Sequence, residues 1–535
     1  MIPLKNINRY IKSLAALTAV AMLCGCADIP DRTSCTESVE TAETAESTEP
    51  HIDEIEVGDY EMTHSNVRLK LNAEGGVFES TVRTDGEYDG NGYIILDKDM
   101  TLTHIAEIKS SQHYRIGLAV QSYTGAVIRL TIANKTSGMY YIPADDSDSM
   151  TWQICAVDSL YLTEGPAILN FYTESGTCSV DYILIEDSDK VSMAAYRTGS
   201  SSVTSNSTVP AIGTMKYLAE SYGKKVITGQ NVTPGTNAEI DAIFKETGRY
   251  PAMRCGELAS FLDEEQTELS AEELRLATEW GKKGGLVSYT WHWYSPDLAR
   301  TVYSAETELD LADDFSGQDL SQLALLTDEE MEIFLDNGIL SEELYKYLMD
   351  IDRIAEPLTA LCEADIPVIF QPIPNGDSDL YWWGGNAENY KALWRLVFDR
   401  LTKRHSLGNL IWVWNGSSAD YYPGDKYCDI IGQEFFEGSS SSFADRLSVL
   451  SKISPTDTKP VAITACDTLP SPDFMVRDNA MWLWVAIGSG ESIIAQDGSL
   501  TERYNDWQSL NNVFNGEVCV TLDELPDFSE YAFSS

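Results

Sequence analysis

The chain has 535 residues, of which 43% are hydrophobic and 10% aromatic, and its formal net charge is −47. A chain of this length and composition is predicted to form two ordered domains with substantial cores. The charge argues against nucleic acid and anionic membrane surfaces as partners, because both would repel the protein. An uncharged ligand is compatible with it.

The N-terminus has the features of an export signal. Lys5, Arg9 and Lys12 form a basic segment, and residues 13–23 form an apolar stretch too short to span a bilayer. The segment ends in Leu-Cys-Gly-Cys, which resembles the bacterial lipobox with Cys26 as the lipid-modified residue. This resemblance implies an exported protein that is held at the bacterial cell surface by a lipid anchor alone.

The mature chain is predicted to have four parts. Residues 27–58, rich in Thr, Ser, Glu and Ala, are expected to be a disordered tether. Short alternating apolar runs in residues 59–188 are typical of an all-β sandwich. Residues 189–209 are rich in Ser and Thr and are expected to be a linker. From residue 210 to 535, strand-like and helix-like segments alternate, which predicts a parallel sheet closed into a (β/α)8 TIM barrel.

The ten cysteines show no CxxC spacing, so a metal cluster is not expected. Cys155 and Cys178 lie in the same β-rich region, and they are the best candidates for a disulfide pair. Most of the other cysteines are expected to be buried free thiols, which behave as small hydrophobic residues.

The most informative stretch is PVIFQPIPNGDSDLYWWGG at residues 367–385. It predicts a buried strand that ends in an aromatic loop, which is where barrel enzymes place their functional residues. Trp382 and Trp383 suit a sugar site, because flat aromatic rings stack on the apolar faces of pyranoses. The alternative is an ordinary loop with packed aromatic residues.

Two stretches in the sandwich region resemble carbohydrate-binding modules of families 35 and 6. They are DGEYDGNGYIIL at residues 85–96 and CSVDYILIE at residues 178–186. The resemblance implies a jelly-roll with a structural calcium ion, for which Glu61 and Asp181 are the candidate ligands. The alternative is that both are ordinary surface carboxylates.

Six stretches in the C-terminal region resemble glycoside hydrolase family 26, the β-mannanase-type barrels, and occur in the family's order. They are ITGQ at 227–230, GGLVSYTWHWYSP at 284–296, WWGG at 382–385, WVWN at 412–415, YYPGDKYCDIIG at 421–432 and KPVAIT at 459–464. The resemblance implies a retaining β-glycanase barrel with two catalytic glutamates and no cofactor. It also implies β-mannan or a related neutral β-glycan as the partner, and we expect a monomer.

The positions that carry the family's chemistry hold other residues here. The acid/base position is Asn375, the nucleophile position is Ala465, and Phe436 replaces a tyrosine that contacts the nucleophile. The family's arginine and histidine positions are Gln371 and Pro374. An amide has no proton to donate to a leaving group, and a methyl group cannot attack an anomeric carbon. The sequence therefore predicts a glycan-binding barrel in which hydrolysis is lost or strongly impaired.

The remainder of the groove is expected to be kept. The candidate sugar-binding residues are Trp291, His292, Trp382, Trp383 and Trp414. The alternatives are that His292 is a core residue whose hydrogen bonds are satisfied, and that the tryptophans only pack the barrel. Trp412 and Trp414 are expected to divide their roles, with one ring facing the barrel core and the other its wall.

Two other functions stay open at this point. An active endo-β-mannanase-like hydrolase would need relocated carboxylates, for which Glu434, Asp467 and Glu257 are the candidates, with Asp377 and Asp379 near predicted strand ends. The third possibility is a solute-binding or structural lipoprotein with no glycan ligand, against which the aromatic strand ends argue.

Overall fold

The computed structural model describes residues 53–54, 68–133, 135–142, 152–188, 191–436, 438, 440–455, 458–495 and 498–534. The predicted export signal, Cys26 and Glu61 lie outside the described residues, as does almost all of the predicted tether. Within these ranges no helix is both long and apolar enough to cross a membrane. The chain divides into two compact units. One holds the residues up to Val191 with segments 436–448 and 467–480, and the other holds the rest.

The first unit is rich in antiparallel strands. Its described strands are β1 (Asp53–Glu54), β2 (Arg68–Asn72), β3 (Val77–Phe78), β4 (Val82–Arg83), β5 (Tyr93–Asp97), β6 (Thr101–Ile108), β7 (Gln112–Gln121), β8 (Ala126–Ile132), β9 (Lys135–Ile142), β10 (Gln153–Leu162) and β11 (Gly165–Asp187).

The long strand β11 joins two groups of strands. Its first half pairs with β6 and β8, and its second half pairs with β2, β5 and β7. The inward side chains of both groups form one apolar core, which includes Leu71, Leu118, Ile128 and Phe171. This sheet-rich region before the barrel confirms the all-β prediction, whereas the finer jelly-roll topology stays a prediction.

The predicted disulfide between Cys155 and Cys178 is wrong, because each is a buried cysteine outside any disulfide. Cys155 lies on β10 and Cys178 on β11, and β7 pairs with both strands and separates them. Strands are spaced at about 4.8 Å, so two spacings already exceed the roughly 7 Å that a disulfide allows between Cα atoms. Among the other described cysteines, all but the half-buried Cys362 are buried and outside any disulfide, as predicted.

The second unit contains the predicted parallel barrel. Its strands are β12 (Val226–Asn231), β13 (Met253–Glu257), β14 (Leu286–Trp291), β15 (Val368–Pro372), β16 (Leu410–Asn415), β17 (Ile430–Phe435), β18 (Val461–Cys466) and β19 (Trp484–Ile487). Consecutive strands pair in parallel, and β12 pairs with both β13 and β19, which closes the barrel. A short strand, β20 (Cys519–Val520), adds to the outside of β12.

Helices connect the strands, as the alternating pattern predicts. The described helices are α1 (Val209–Ser221), α2 (Ala238–Thr247), α3 (Thr267–Lys282), α4 (Leu311–Asp314), α5 (Leu320–Leu323), α6 (Asp328–Asp336), α7 (Glu342–Glu363), α8 (Ala387–Asp399), α9 (Ala444–Leu450), α10 (Pro472–Arg477), α11 (Trp507–Phe514) and α12 (Phe528–Tyr531).

Capping residues fix where the helices before and after β15 begin. The Ser341 side chain accepts a hydrogen bond from the Leu344 N–H, and the Asn386 side chain accepts from the N–H groups of Glu388 and Asn389. Such caps satisfy backbone donors that a helix start leaves unpaired. Helix α7 therefore begins at Glu342, directly after its cap.

Part of the predicted linker is bound to the barrel. The Val203 N–H donates to Asp429 Oδ1 at 2.7 Å, and Thr204 Oγ1 donates to the Leu410 carbonyl at 3.2 Å. Thr208 caps α1 by accepting from the Ala211 N–H. The Ser and Thr side chains that suggest a free linker instead satisfy polar groups of the barrel.

A buried ion pair ties β13 to the helix that follows it. Arg254 Nη1 and Nη2 donate to the two carboxylate oxygens of Glu273 in α3 at 2.5 and 2.8 Å, and both side chains are fully buried. Such a two-point contact is geometrically specific. It fixes the strand whose last residue is Glu257.

Candidate functional site at the barrel mouth

Polar side chains meet where the barrel strands end. Glu257 ends β13, Asn415 ends β16, and Glu434 lies near the end of β17. Side chains alternate between the two sides of a strand, so these residues point into the mouth while their neighbours point at the helices. The register of β17 and β18 then sets Glu434 directly beside Ala465.

Glu257 and His292 form an ion pair on one side of the mouth. His292 Nδ1 lies 2.6 Å from Glu257 Oε2, and the pair is only about one-sixth exposed. Glu257 Oε1 accepts hydrogen bonds from the backbone N–H groups of Leu258, Ala259 and His292 at 2.9–3.0 Å. Burial on its own would lower the pKa of His292, but the charge and hydrogen bond of Glu257, with the charge of Glu434, raise it above its ordinary value.

Two carboxamides hold Glu434 on the other side of the mouth. Asn375 Nδ2 donates to Glu434 Oε2 at 3.1 Å, and Asn415 Nδ2 donates to Oε1 at 3.2 Å. Asn415 Nδ2 also donates to Thr464 Oγ1 at 2.9 Å. Burial raises the pKa of Glu434, and the opposing effects of His292 and the two amides do not restore its ordinary value.

Asn375 is positioned by a tightly constrained loop. Its backbone has φ 52°, in the left-handed region that asparagine adopts more readily than most residues, and its N–H donates to the Asn415 carbonyl at 2.8 Å. The β-branched Ile373 has φ 39° in the same loop, and two contacts hold it. Its N–H donates to the Trp291 carbonyl, and its own carbonyl accepts from the Tyr390 hydroxyl. The loop thus fixes the amide of Asn375 against Glu434.

The expected nucleophile position presents only a methyl group. Ala465 pairs with Glu434 across β17 and β18 after a one-residue register shift. Residues in register on neighbouring strands share a face of the sheet, so the Ala465 methyl and the Glu434 carboxylate face the mouth together. Glu434 is therefore hydrogen-bonded to one family-equivalent position and adjacent to the other.

Two of the other candidate carboxylates, Asp467 and Asp377, have structural partners. Both oxygens of Asp467 accept from the Gly438 N–H at 3.1–3.2 Å, and the side chain is buried. Asp377 accepts from the N–H groups of Ser417 and Ser418 and from the Ser417 hydroxyl at 2.7–2.9 Å. Asp379 is exposed. Phe436 is buried, as is usual for an aromatic side chain in this position next to a strand.

The predicted tryptophans at the end of β14 and in the loop after β15 are buried in ring clusters. Trp291 stacks on Trp293, with centroids 4.3 Å apart. Trp382 stacks on Tyr347 of α7 at 5.7 Å, and Trp383 is covered by another ring. This arrangement matches the packing alternative, and the assignment of these three tryptophans to sugar binding stays a prediction.

The expected division of roles between Trp412 and Trp414 is wrong. Trp412 packs on Phe398 of α8 at 4.7 Å, and Trp414 packs on Tyr422 at 5.4 Å. Residues two apart in a strand point to the same side, so both rings lie on the outer wall of the barrel and neither faces its axis. Trp414 is fully buried there, which argues against its contact with a sugar.

Sequence reasoning missed two residues that shape the mouth, Asn415 and Thr464. Both lie inside motifs that the sequence offers, WVWN and KPVAIT. For Asn415 the available signal was strand periodicity, because a polar residue one position after an outward-facing tryptophan must point inward.

Of the two predicted calcium ligands, only Asp181 lies within the described residues. Asp181 is buried, and both of its oxygens accept from the Asp89 N–H at 2.9 and 3.1 Å. Burial raises the pKa of Asp181 to about 7. The part of the chain that the structure describes contains no group of three or more His, Cys, Asp or Glu residues that could hold a metal ion. The calcium site therefore depends on Glu61 and stays a prediction.

Known proteins are similar to this chain in sequence. The family model described as glycosyl hydrolase family 26 matches residues 203–513. A mannan endo-1,4-β-mannosidase of Thermothelomyces thermophilus is 26% identical over 469 residues, which is 84% of this chain and 89% of that protein. A mannan endo-1,4-β-mannosidase B of Piromyces sp. is 23% identical over 83% of this chain and 74% of that protein.

Solved structures agree on the fold. A Podospora anserina GH26-CBM35 β-(1,4)-mannanase superposes with a TM-score of 0.55 at 23% identity, covering 86% of this chain and 99% of that one. A ruminal GH26 endo-β-1,4-mannanase superposes with a TM-score of 0.52 at 22% identity, covering 85% and 98%.

Proposed function

We propose that this chain, which belongs to glycosyl hydrolase family 26, binds a β-mannan-type polysaccharide in its barrel without hydrolysing it by the two-carboxylate route. The observation that carries the proposal is the pairing of Asn375 with Glu434 beside Ala465. A retaining glycosidase needs an acid and a nucleophile about 5–5.5 Å apart, whereas an amide and a methyl group occupy the matching positions here.

Binding survives such a change because the two carboxylates described at the mouth, Glu434 and Glu257, both have partners. Glu434 has two amide donors, and Glu257 has an imidazole and three backbone donors. Buried polar groups with partners cost little, whereas a lone buried carboxylate would destabilise the fold. Sugar hydroxyls could exchange for these contacts without leaving a charge uncompensated.

Purified protein tested on soluble β-mannan would decide the question. We expect slower migration in native gels that contain mannan, together with no release of new reducing ends. The same gels with xylan and β-glucan would show which backbone is preferred. Ordinary turnover with retention of anomeric configuration would contradict the proposal. Migration unaffected by all three glycans would favour a lipoprotein with no glycan ligand.

An active hydrolase with relocated carboxylates is the second candidate. The position of Glu434, between Asn375 and Ala465, favours it over Asp467 and Asp379. If the wild-type protein releases sugars, Glu434→Gln and Glu257→Gln should each reduce the rate sharply. A rate that survives both substitutions would exclude this candidate.

The remaining parts of the proposal concern location and the first unit. Lipid attachment at Cys26 would hold the protein at the bacterial cell surface, and the sandwich would act as a second carbohydrate-binding unit with a calcium ion at Glu61 and Asp181. Incorporation of labelled fatty acid, lost in Cys26→Ala, tests the anchor. A rise in melting temperature with calcium, lost in Asp181→Asn, tests the ion.

A further inference from the structure

The rings that the sequence offers for sugar stacking are covered. Trp291 and Trp382 stack on other aromatic rings, and Trp414 packs on Tyr422 outside the barrel. All three residues are at most 5% exposed, so a pyranose could reach their rings only by moving neighbouring side chains, which close packing opposes. If the barrel binds a glycan, other aromatic side chains must supply the stacking surface.

Tyr294 is one such side chain. In the segment after β14, burial alternates, because Trp291 and Trp293 are buried while His292 and Tyr294 are partly exposed. Trp293 points at α7, where its Nε1 donates to Asp350 Oδ2 at 2.9 Å. The alternate residues therefore point at the mouth, where His292 meets Glu257. In agreement with this placement, burial raises the pKa of Tyr294 to about 12, and the charge of Glu257 contributes.

Tyr421 occupies the corresponding place on the other side of β15. It ends a short 3-10 turn, Ala419–Tyr421, in the loop after β16. Asp377 fixes the start of that loop through three hydrogen bonds to Ser417 and Ser418. Tyr421 is partly exposed and touches Tyr390 at a tilted 55°, with centroids 5.9 Å apart, whereas the next residue, Tyr422, is buried. Its ring therefore lies at the rim of a fixed loop.

The two tyrosines flank the centre of the proposed site. The strand order β14, β15, β16 places Tyr294 on one side of the loop that carries Asn375 and Tyr421 on the other. We propose that Tyr294 and Tyr421 are the stacking residues for the glycan, one on each side of Asn375, and that the glycan is a neutral chain. This inference rests on the proposed function, which already takes the ligand to be a neutral β-mannan, and adds to it the residues that contact the glycan.

The charge class follows from the carboxylates around both rings. Glu257 lies near Tyr294, and Asp377, Asp379 and Asp420 lie near Tyr421, where they contribute to its raised pKa after burial. Carboxylates accept hydrogen bonds from sugar hydroxyls but repel uronic acids. A tyrosine adds an apolar ring face and a hydroxyl that can bond to the sugar.

Titration with soluble manno-oligosaccharide measures the contribution of each ring. We expect Tyr294→Ala and Tyr421→Ala each to weaken binding about tenfold, because aromatic stacking contributes roughly 0.5–1.5 kcal/mol beyond buried area. Tyr421→Trp should bind nearly as well as wild type. The matched control is Tyr531→Ala, which removes another partly exposed tyrosine from α12. If Tyr294→Ala fails to fold, Tyr294→Gln removes the ring while keeping a polar side chain.

The outcomes separate the two proposals. Wild-type binding that persists in both ring-deletion variants would overturn this inference and leave the proposed function standing. Wild-type protein that binds no mannan would overturn the proposed function. Binding of polygalacturonate as tight as that of mannan would overturn the assignment of a neutral ligand.

Discussion

The two sides of the barrel mouth hold their carboxylates in different ways. On the β13–β14 side, Glu257 pairs with the ionisable imidazole of His292. On the β15–β18 side, Glu434 pairs with the amides of Asn375 and Asn415, which cannot ionise. The imidazole can therefore exchange a proton near neutral pH, whereas the amides can only form hydrogen bonds. The difference teaches that two carboxylates at one mouth can keep satisfied hydrogen bonds with either an ionisable or a non-ionisable partner.

Restoring carboxylates on the amide side should have the largest effect. We expect Asn375→Glu/Ala465→Glu to raise the rate of mannan hydrolysis by about 10³-fold or more, because acid–base catalysis alone contributes roughly 10²–10⁴-fold. The left-handed backbone at position 375 will cost the double variant some stability. Reducing-end release and product configuration by NMR measure the gain.

The matched control for that experiment is Asn375→Gln/Ala465→Gln, which adds similar bulk without an ionisable group. Each single glutamate variant should remain close to the wild-type rate, since the mechanism needs both groups. A double variant that binds mannan but gains no activity would show that positions 375 and 465 are not those of the catalytic acid and nucleophile.

Breaking the ion pair on the other side should cost stability instead. Glu257→Gln leaves His292 without its charged partner in a largely buried position, and we expect a loss of about 2 kcal/mol in the free energy of unfolding. Urea denaturation at pH 6 measures it. The comparison is Glu434→Gln, for which we expect a smaller loss because its partners are neutral. Equal losses would remove the distinction between the two sides.

A smaller effect is expected from the hydroxyl that supports the amides. Thr464→Val keeps the shape but removes the acceptor for Asn415 Nδ2, and a buried neutral hydrogen bond contributes about 1 kcal/mol. Thr464→Ser, which retains the hydroxyl, should be closer to wild type. If the Thr464→Val and Thr464→Ser variants have the same free energy of unfolding, the hydroxyl does not support this side of the mouth.

The smallest effect is the pH dependence of the ion pair. Because the pKa of His292 is raised in the folded state, its contribution to stability is complete below about pH 6.5 and is lost as pH rises through the raised value. We expect a loss below about 1 kcal/mol, given partial exposure. Denaturation midpoints from pH 6 to 9 would show it, and His292→Gln should abolish it.

Glu434 provides an internal check on that titration. Its raised folded-state pKa makes stability fall as pH rises from about 4.3, a window that begins below that of His292. Glu434→Gln should remove the loss of stability that begins at about pH 4.3 and keep the loss that His292 causes at higher pH. If this variant loses both pH-dependent changes in stability, Glu434 and His292 titrate as one coupled group.

Sequence patterns were sufficient for the barrel, whereas the replacement of the catalytic positions stays a prediction. Strands such as Val368–Pro372 are short apolar runs between helical segments, and each run can be recognised from neighbouring residues alone. Cys155 and Cys178 show the limit of this reasoning. Their presence in one β-rich region is visible in the sequence, but the strand that separates them is a matter of pairing between distant segments.

The sequence by itself determined which residue types stand at the barrel mouth, including the amide at 375 and the methyl at 465, since identity and order need no coordinates. Only the tertiary structure decided that Glu434 pairs with Asn375, that Trp412 packs on a helix, and that Tyr294 and Tyr421 keep partly open rings. The physical reason is that side-chain direction and burial depend on the register of strands far apart in the chain, which local patterns do not encode.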